Sequence, residues 1–203
     1  ALVYLGYSGG LRTTAEVIYE NNQGFSQFGY SVATAGDING DGFSDVICGA
    51  YNYDNPSSNE GAAFVYLGSA IGMSASSNWN AEGNQVSANF GYSVSTAGDV
   101  NGDGYSDVIV GVYNFDNGQT QEGAAFVFHG SANGLSTFSS WNAEGNQASA
   151  EFGNSVSTAG DVNGDGYSDV IVGAFLYDNG QTDEGISFVY FGSASGLSLT
   201  SNW

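Results

Sequence analysis

Short apolar segments separated by turn residues recur along the chain and predict β-strands. In the first complete copy, residues 30–36 alternate small and apolar side chains. Residues 44–51 form the continuous apolar run that is typical of a strand buried on both faces. Residues 61–68 form a third apolar segment, whereas residues 77–83 are polar enough for an outer edge strand. The pattern has no helical periodicity, so it predicts four short strands in succession.

This four-strand pattern is repeated along the chain. Asp37, Asp99 and Asp161 begin three similar acidic segments spaced 62 residues apart, and residues 93–111 are identical to residues 155–173. Four strands per repeat, with no helix, are typical of β-propeller blades. A parallel β-helix is the alternative, although its repeats are usually far shorter. We therefore predict an all-β fold of β-propeller blades of four antiparallel strands, which form an incomplete ring in one chain.

The repeat also predicts how the chain divides. Residues 2–6 match the third strand of the later copies, so the chain begins in the middle of a blade, and Trp203 corresponds to Trp79 and Trp141. The expected units are a partial blade of third and fourth strands at 1–27, complete blades at 28–89 and 90–151, and a blade truncated in its outer strand at 152–203.

The charge of the chain limits its partners. There are 21 acidic residues against one basic residue, which gives a formal net charge of −20. Nucleic acid is not an expected partner, because phosphate contacts depend on Lys and Arg. No apolar run approaches the roughly 20 residues that span a bilayer, so membrane insertion is not expected either. Self-repulsion of this size opposes compaction, and we therefore expect cations to be bound in the folded state.

The acidic segments have the donor pattern of a calcium loop. Each reads Asp-x-Asn-Gly-Asp-Gly-x-x-Asp, with side-chain oxygens at positions 1, 3, 5 and 9 and glycine at position 6. Hard oxygen ligands suit Ca²⁺, and position 7 offers a backbone carbonyl, whereas Mg²⁺ prefers a tighter octahedron with retained waters. For a single copy, an acidic surface turn is the alternative, because Asp, Asn and Gly favour turns. Three copies in a chain with one basic residue favour about three Ca²⁺ per chain.

The loops differ from an EF-hand after position 9. Cys48, Val110 and Val172 stand where an EF-hand has its bidentate glutamate, and a predicted strand follows each loop instead of a helix. The Asp at position 9 is therefore expected to close each site. The predicted metal ligands are Asp37, Asn39, Asp41, Phe43 and Asp45; Asp99, Asn101, Asp103, Tyr105 and Asp107; and Asp161, Asn163, Asp165, Tyr167 and Asp169.

A family resemblance combines these features. Each copy opens with Phe-Gly at 28–29, 90–91 or 152–153, continues into the acidic loop, and then reads Gly-Ala or Gly-Val before an aromatic residue. This resembles the FG-GAP repeat of integrin α-subunit propellers and of many bacterial extracellular proteins, over essentially the whole chain. The resemblance implies a Ca²⁺-stabilised propeller with cations between the first and second strands of a blade. The chain departs from the pattern where the proline of the motif is replaced by an aromatic residue.

The resemblance also implies that ligands engage the face opposite the calcium loops. That face carries the loops between second and third strands, where aromatic rings beside carboxylates suit a sugar or a protein partner. The alternative is that the first aromatic residue of each loop packs between blades and that the carboxylate caps the turn. The candidate ligand-binding residues are Tyr53, Asp54, Phe115, Asp116, Tyr177 and Asp178.

Catalysis is not expected, because one His, one Cys and one Arg leave only carboxylates for chemistry. No catalytic residue is assigned. We expect an extracellular or cell-surface calcium-binding propeller that acts as an adhesion or self-assembly module, in a surface or filament structure. The expected partners are other copies of itself or the rest of a longer propeller, together with a glycan or cell-surface protein. The alternative is a carbohydrate-binding or polysaccharide-degrading propeller domain.

Overall fold

Residues 1–202, which the computed structural model describes, form fifteen β-strands and no helix. All named strand pairs are antiparallel. The all-β, antiparallel prediction is therefore confirmed. The predicted equivalence of Trp203 to the tryptophans of the other blades lies outside the described residues. Nothing within residues 1–202 forms a helix of the length and apolar character needed to cross a membrane.

The N-terminal segment contains four strands of two residues each. They are β1 (Leu2–Val3), β2 (Gly6–Tyr7), β3 (Gly10–Leu11) and β4 (Val17–Ile18). Strand β1 pairs with β4, so that Val3 lies opposite Val17 in the register expected of a third and a fourth strand. The β2–β3 hairpin was not predicted, and its Ser8-Gly9 loop is a glycine-containing two-residue connection of the kind that closes tight hairpins.

Three similar sheets follow. The first contains β5 (Val32–Gly36), β6 (Asp45–Ala50), β7 (Ala62–Tyr66) and β8 (Trp79–Glu82). The second contains β9 (Ser93–Gly98), β10 (Asp107–Val112), β11 (Ala124–Phe128) and β12 (Trp141–Glu144). The third contains β13 (Phe152–Gly160), β14 (Asp169–Ala174) and β15 (Ile186–Tyr190). In each sheet the strands follow one another in chain order, as expected of propeller blades, and they do not close a ring.

Strand order fixes where the loops lie. Because consecutive strands are antiparallel, the connections between first and second strands share one end of each blade. The acidic loops 37–44, 99–106 and 161–168 are these connections. The connections between second and third strands, such as 51–61, lie at the opposite end. The two sets of candidate residues are therefore on opposite edges of the blades.

The core lies between blades. The Phe-Gly pair that opens each blade joins it to the preceding one: the Phe152 amide donates to the Glu122 carbonyl at 3.0 Å, and Gly123 bridges to Phe152. Phe90 makes the same contact with Glu60 at 2.9 Å. Both phenylalanines are almost fully buried. Small residues are needed on the facing strands, because an added methyl group on Gly111 would collide with the backbone of Gly153.

Candidate metal centres

The three acidic loops have one conformation, which the two glycines make possible. In the first loop, Gly40 at position 4 and Gly42 at position 6 have φ angles of 73° and 87°, a region that other residues rarely adopt. The same positions in the second and third loops also have positive φ. These turns point successive backbone amides towards the carboxylate at position 1, so each loop curls around its first aspartate.

The carboxylate at position 1 organises the loop. In the second loop, Asp99 Oδ1 accepts hydrogen bonds from the amides of Gly102 at 2.7 Å and Asp103 at 3.1 Å, and Oδ2 accepts one from Gly104 at 2.8 Å. Asp37 and Asp161 make the same three bonds in their own loops. The three bonds use three of the roughly four acceptor sites of a carboxylate, so one site on Oδ2 is left for another partner.

Positions 3 and 5 are linked to each other. Asn101 Oδ1 accepts a hydrogen bond from the Asp103 amide at 3.1 Å, and Asn101 Nδ2 donates to Asp103 Oδ2 at 2.9 Å. The other Asp103 oxygen accepts from the Tyr105 amide at 3.0 Å. Equivalent bonds occur in the first and third loops. The amide oxygen and two carboxylates of each loop are thus held within one turn of chain.

The aspartate at position 9 is buried beneath the loop. Asp107 is 0% exposed, and its two oxygens accept hydrogen bonds from the amides of Val100 and Gly130, both at 2.9 Å. Burial raises the pKa of Asp107 to about 7; the two hydrogen bonds act against this, and the nearby charges of Asp103 and Asp99 add to it. Burial likewise raises the pKa of Asp45, with Asp41 and Asp37 adding to the shift. The negative charges of the other two aspartates of each of these loops therefore oppose ionisation of the aspartate at position 9.

The donor set fits a hard cation. Each loop offers three carboxylates, one amide oxygen and a backbone carbonyl within nine residues, which is the oxygen-rich mixture that Ca²⁺ takes. Among residues 1–202, no three His, Cys, Asp or Glu side chains stand close enough together to hold a metal ion as they are placed. Metal binding would therefore require the carboxylates of a loop to move closer together, against the repulsion that a cation removes.

The second loop has a neighbour that the other loops lack. His129 Nδ1 lies 3.3 Å from Asn101 Nδ2, at a position where the other blades have Leu67 and Phe191. Burial lowers the pKa of His129, and the charges of Asp103 and Asp99 oppose this shift. A histidine occurs at this position in only one of the repeats, so the sequence alone gives no signal for its contact with a predicted ligand.

Neighbouring acidic loops are in direct contact. The Ser106 amide donates to the Asp37 carbonyl at 2.9 Å, and the Ser168 amide donates to the Asp99 carbonyl at 2.9 Å. Each serine is at position 8 of its own loop and touches position 1 of the loop before it. Sequence reasoning did not find these contacts, although the aromatic–serine pair at positions 7 and 8 of every copy is the signal that marks them.

At the opposite end of the blades, the candidate ligand-binding carboxylates bond within their own loops. Asp54, Asp116 and Asp178 each accept a hydrogen bond from the amide five residues further along, in Asn59, Gln121 and Asp183. The aromatic residues beside them pack edge-on against the third strand: Tyr53 on Phe64, Phe115 on Phe126, and Tyr177 on Phe188, with ring centroids 5.5–5.8 Å apart. These residues therefore stabilise the turn in this structure.

The first aromatic residues of these loops have different surroundings. Tyr51 packs edge-on against Tyr92 of the next blade, with ring centroids 5.3 Å apart, and also against Tyr30 at 4.6 Å. Tyr113 contacts Tyr92 of its own blade at 4.4 Å, and Phe175 is 51% exposed. Of the aromatic residues that replace the motif's proline, Tyr51 therefore packs between blades.

Comparison with known proteins agrees with this architecture. A family model described as FG-GAP repeat matches residues 28–66, 90–128 and 152–190, which is more than half of the chain. The chain belongs to the FG-GAP repeat family. Each matched segment begins at the Phe-Gly pair and ends in the third strand of a blade.

Relatives with curated descriptions are integrin alpha subunits. The chain is 33% identical over 158 residues to integrin alpha-4 of Xenopus laevis, an alignment that covers 76% of this chain and 15% of the relative. It is 31% identical over 193 residues to integrin alpha-5 of Xenopus laevis, covering 91% and 18%. Integrin alpha-V of Gallus gallus is 34% identical over 177 residues, covering 85% and 16%. The chain therefore spans less than a fifth of the length of these relatives.

Proposed function

We propose that the chain is the calcium-binding part of an extracellular FG-GAP propeller, with one Ca²⁺ in each acidic loop and about three per chain. The observation that carries the proposal is the threefold recurrence of one donor set in one conformation. Three carboxylates and an amide oxygen are held in each loop by matching hydrogen bonds, and the position-7 residue adds a backbone carbonyl. Such recurrence is expected of a selected binding site, whereas a surface turn needs only its glycines.

Charge supports the same conclusion. The chain has a net charge of −20, and the only ion pair between side chains of residues 1–202 is the exposed Arg12–Glu16 pair at 3.1 Å. Three Ca²⁺ bring six positive charges to the loops where carboxylates are most crowded. Because metal binds the folded loops and not the unfolded chain, its binding free energy adds to the free energy of unfolding.

Thermal unfolding with and without chelator tests the proposal. A site with free Ca²⁺ at about 100 times its Kd adds roughly 2.7 kcal/mol to the free energy of unfolding. Three sites would together be comparable to the ~5–15 kcal/mol of a typical domain. We expect Ca²⁺ to raise the melting temperature strongly, EDTA to lower it, and Mg²⁺ to restore it only weakly. An unchanged melting curve in excess EDTA would rule out structural calcium.

The biological role follows from the relatives. Integrin alpha subunits are similar to this chain over most of its length, and this supports an extracellular or cell-surface adhesion module. The partners we propose are the remaining blades of a longer propeller or other copies of the chain, with a cell-surface protein as ligand. The open flanks of the first and third blades favour further blades over an isolated monomer, because unpaired sheet faces and edges are avoided in native proteins. The four proposed structural units are residues 1–27, 28–89, 90–151 and 152–203.

Self-assembly, in which the N-terminal strands of one copy join the last blade of another, is less favoured than a longer propeller. Third strand β15 of the last blade is already paired with β14, in the register of the other blades. The N-terminal segment also supplies a third strand, β1. A second copy could therefore supply its own third strand to the last blade only by displacing β15, whereas its fourth strand β4 could pair with the outer edge of β15. Size-exclusion chromatography with light scattering distinguishes the two forms, since an assembling chain increases in mass with concentration and a fragment of a longer propeller stays monomeric.

Glycan binding is a second candidate, favoured by three equivalent grooves on the outer rim. Their volumes are about 380, 520 and 480 Å³. Each groove has an aromatic wall that includes Tyr53, Phe115 or Tyr177, and a rim with a glutamate and an asparagine. Aromatic rings beside polar groups suit sugar rings. A glycan array that shows signal lost in a Tyr53→Ala, Phe115→Ala, Tyr177→Ala triple variant, but kept in Phe175→Ala, would support this function.

We infer that the chain is not an enzyme. The carboxylates of the acidic loops are assigned to metal, and His129 and the buried Cys48 lie in different blades. A polysaccharide hydrolase or lyase would need a pair of carboxylates outside the acidic loops. Activity on a polysaccharide that is lost when one such carboxylate is replaced would contradict the inference.

A further inference from the structure

Each of the first two acidic loops is held by the loop that follows it. Ser106 forms two hydrogen bonds with Asp37: its amide donates to the Asp37 carbonyl at 2.9 Å, and its Oγ accepts from the Asp37 amide at 3.2 Å. The ring of Tyr105 lies against Gly40, so that a methyl group added there would be only 2.8 Å from Tyr105 Cε1. The Ser131 amide donates to the Ile38 carbonyl at 3.1 Å. We call this set of contacts the loop clasp.

The clasp is repeated at the next junction. The Ser168 amide donates to the Asp99 carbonyl at 2.9 Å, and the Ser193 amide donates to the Val100 carbonyl at 3.1 Å. The ring of Tyr167 covers Gly102. The clasp therefore runs in one direction along the chain. Positions 7 and 8 of one loop contact positions 4 and 1 of the loop before it, and the serine after the third strand of the same blade holds position 2.

Within residues 1–202, the third loop has no clasp. A methyl group added to Gly160 or Gly164 would meet no atom within 4 Å, whereas the same group on Gly98 would collide with Ser168. Val162 at position 2 is 57% exposed, compared with 0% for Val100 in the second loop. At the other end of the chain, the first loop carries the pair Phe43–Ser44, which is exposed and has no preceding loop to hold.

We propose that the aromatic–serine pair at positions 7 and 8 of each acidic loop positions the metal ligands of the preceding loop. The third loop then binds Ca²⁺ more weakly than the second until a further FG-GAP blade docks on it through its own aromatic–serine pair. This inference rests on the proposed calcium sites and adds a rule for how they are coupled.

The physical basis is the cost of ordering the loop. Position 1 supplies a carboxylate ligand, and the following serine amide bonds its carbonyl in both clasped loops. In the first loop the serine hydroxyl also accepts from its amide. In an unclasped loop, metal binding must itself immobilise this backbone, so part of the binding free energy is spent on ordering. The coupling is reciprocal: a blade that improves calcium binding at loop 161–169 must itself dock more tightly when calcium is present.

The docking partner is one further blade of the same repeat. The open flank of the third blade is the continuation of a contact that occurs twice within the chain, and it presents the same groups: the carbonyls of Asp161 and Val162, and the uncovered Gly160 and Gly164. A partner needs an aromatic ring for the glycine, a serine amide for the position-1 carbonyl, and a second backbone amide for the position-2 carbonyl.

The test is hydrogen exchange measured by mass spectrometry at increasing free Ca²⁺. For each loop it gives the free Ca²⁺ concentration at which half of the calcium-dependent protection is reached, which we call the calcium midpoint. Residues 93–111 and 155–173 are identical, so the peptides must include Tyr92 or Asn154 to tell the second loop from the third. Couplings of this kind usually change affinity by a factor of roughly 5–150. We expect the third-loop midpoint to be at least about fivefold higher than that of the second loop.

Two glycine variants form a matched pair. Gly98→Ala and Gly160→Ala introduce the same backbone strain, because the φ angles are 77° and 72°. Only Gly98→Ala also collides with the serine of the following loop. We expect Gly98→Ala to raise the second-loop midpoint several-fold more than Gly160→Ala raises the third-loop midpoint. Equal effects would overturn the inference.

A side-chain pair keeps the test informative if Gly98→Ala does not fold. Tyr167→Ala removes the ring that covers Gly102, and we expect it to raise the midpoint of the second loop more than that of its own, third loop. Tyr167→Phe keeps the ring atoms that cover Gly102 and should therefore raise the second-loop midpoint much less than Tyr167→Ala does. An effect of Tyr167→Ala confined to the third loop would contradict the clasp.

The outcomes separate this inference from the proposed function. Calcium-dependent protection in all three loops with equal midpoints overturns the clasp and leaves the calcium sites in place. An absence of calcium-dependent protection in every loop overturns both. Protection that appears first in the two clasped loops and last in the third supports both.

Discussion

The second and third acidic loops have the same sequence but different surroundings. Residues 93–111 and 155–173 are identical, yet Val100 is 0% exposed and Val162 is 57% exposed. Glu122 is buried at the end of the second blade, whereas its counterpart Glu184 is exposed. The difference comes from the following blade, which covers the second loop and is missing beside the third.

The comparison shows which side chains belong to a blade and which belong to a junction. Within a blade, the hydrogen bonds of position 1 are the same in all three loops. The contacts that differ are those to the next blade, and they involve position 2 and the glycines. A single blade therefore specifies the shape of its loop, and the next blade determines how firmly the loop is held.

The largest expected effect comes from the phenylalanine that opens each blade. Phe152 is 0% exposed at the junction between the second and third blades, while Phe28 is only half-buried at the flank of the first blade. Replacing a buried phenylalanine with alanine usually costs about 3–5 kcal/mol. We expect Phe152→Ala to reach this range and Phe28→Ala to cost less than half as much, in urea unfolding with calcium present. Equal losses of unfolding free energy would mean that the surroundings of Phe28 and Phe152 are equally well packed.

Stability measured against pH without calcium tests whether the buried aspartates have raised pKa values in the folded chain. Asp107 has its pKa raised to about 7 by burial, and burial raises the pKa of Asp45 as well. Since the folded chain then binds protons more tightly than the unfolded chain, the free energy of unfolding in EDTA should fall as pH rises from about 4 to about 7. Each unit of pKa shift corresponds to about 1.4 kcal/mol.

The same series with Asp107→Asn provides the control for this pH effect. Without the titrating carboxyl group, the slope of stability against pH between 5 and 7 should become shallower. Saturating calcium should also reverse the trend of the unmodified chain, because the metal binds only the ionised carboxylates. A slope in EDTA that Asp107→Asn leaves unchanged would show that this group is not the source.

Replacing the valine at position 2 is expected to have a smaller effect on stability, and the effect should differ between the second and third loops. Burial of a valine side chain is worth about 1.5–3 kcal/mol, so Val100→Ala should destabilise the chain by about 1–3 kcal/mol. Val162→Ala should stay within about 0.5 kcal/mol, as is usual for exposed positions. Chemical denaturation of the two variants measures the contrast. A cost at Val162 as large as at Val100 would indicate that the third flank is covered in solution.

The smallest effect concerns the tryptophans of the fourth strands. Trp79 Nε1 donates to the Ser136 carbonyl of the next blade, and Trp141 Nε1 donates to that of Ser198, both at 2.9 Å. Removing one such hydrogen bond usually costs about 1 kcal/mol. Trp141→Phe and Trp79→Phe should therefore each lower the melting temperature slightly and by similar amounts. A loss at only one of them would show that the two junctions are not equivalent.

Much of the blade could be predicted from local sequence. The four strands of the first blade lie within the predicted segments, because apolar alternation and glycine turns are local signals. The Phe-Gly pair identified the family, and the structure gives its role, since the ring and the small glycine occupy the junction with the preceding blade. The assignment of the acidic-loop residues as metal ligands remains a prediction.

The features that the sequence did not predict depend on contacts between blades, and local sequence patterns do not indicate such contacts. Ser106 lies 69 residues from the Asp37 that it holds, and nothing in the segment around either residue indicates the other. The candidate Asp116 was grouped with a ligand-binding face, whereas its carboxylate accepts the Gln121 amide within its own turn. A carboxylate beside an aromatic residue has the same sequence signature in a ligand site and in a capped turn.

Native mass spectrometry at increasing calcium most directly tests the central claim that the three acidic loops are calcium sites. We expect three Ca²⁺ per chain at saturation, two in Asp103→Ala, and still three in the control variant Asp116→Ala, whose carboxylate lies at the opposite end of the blade and accepts the Gln121 amide. EDTA should remove all three. A chain that binds no calcium, or an Asp103→Ala variant that retains all three ions, would contradict the account.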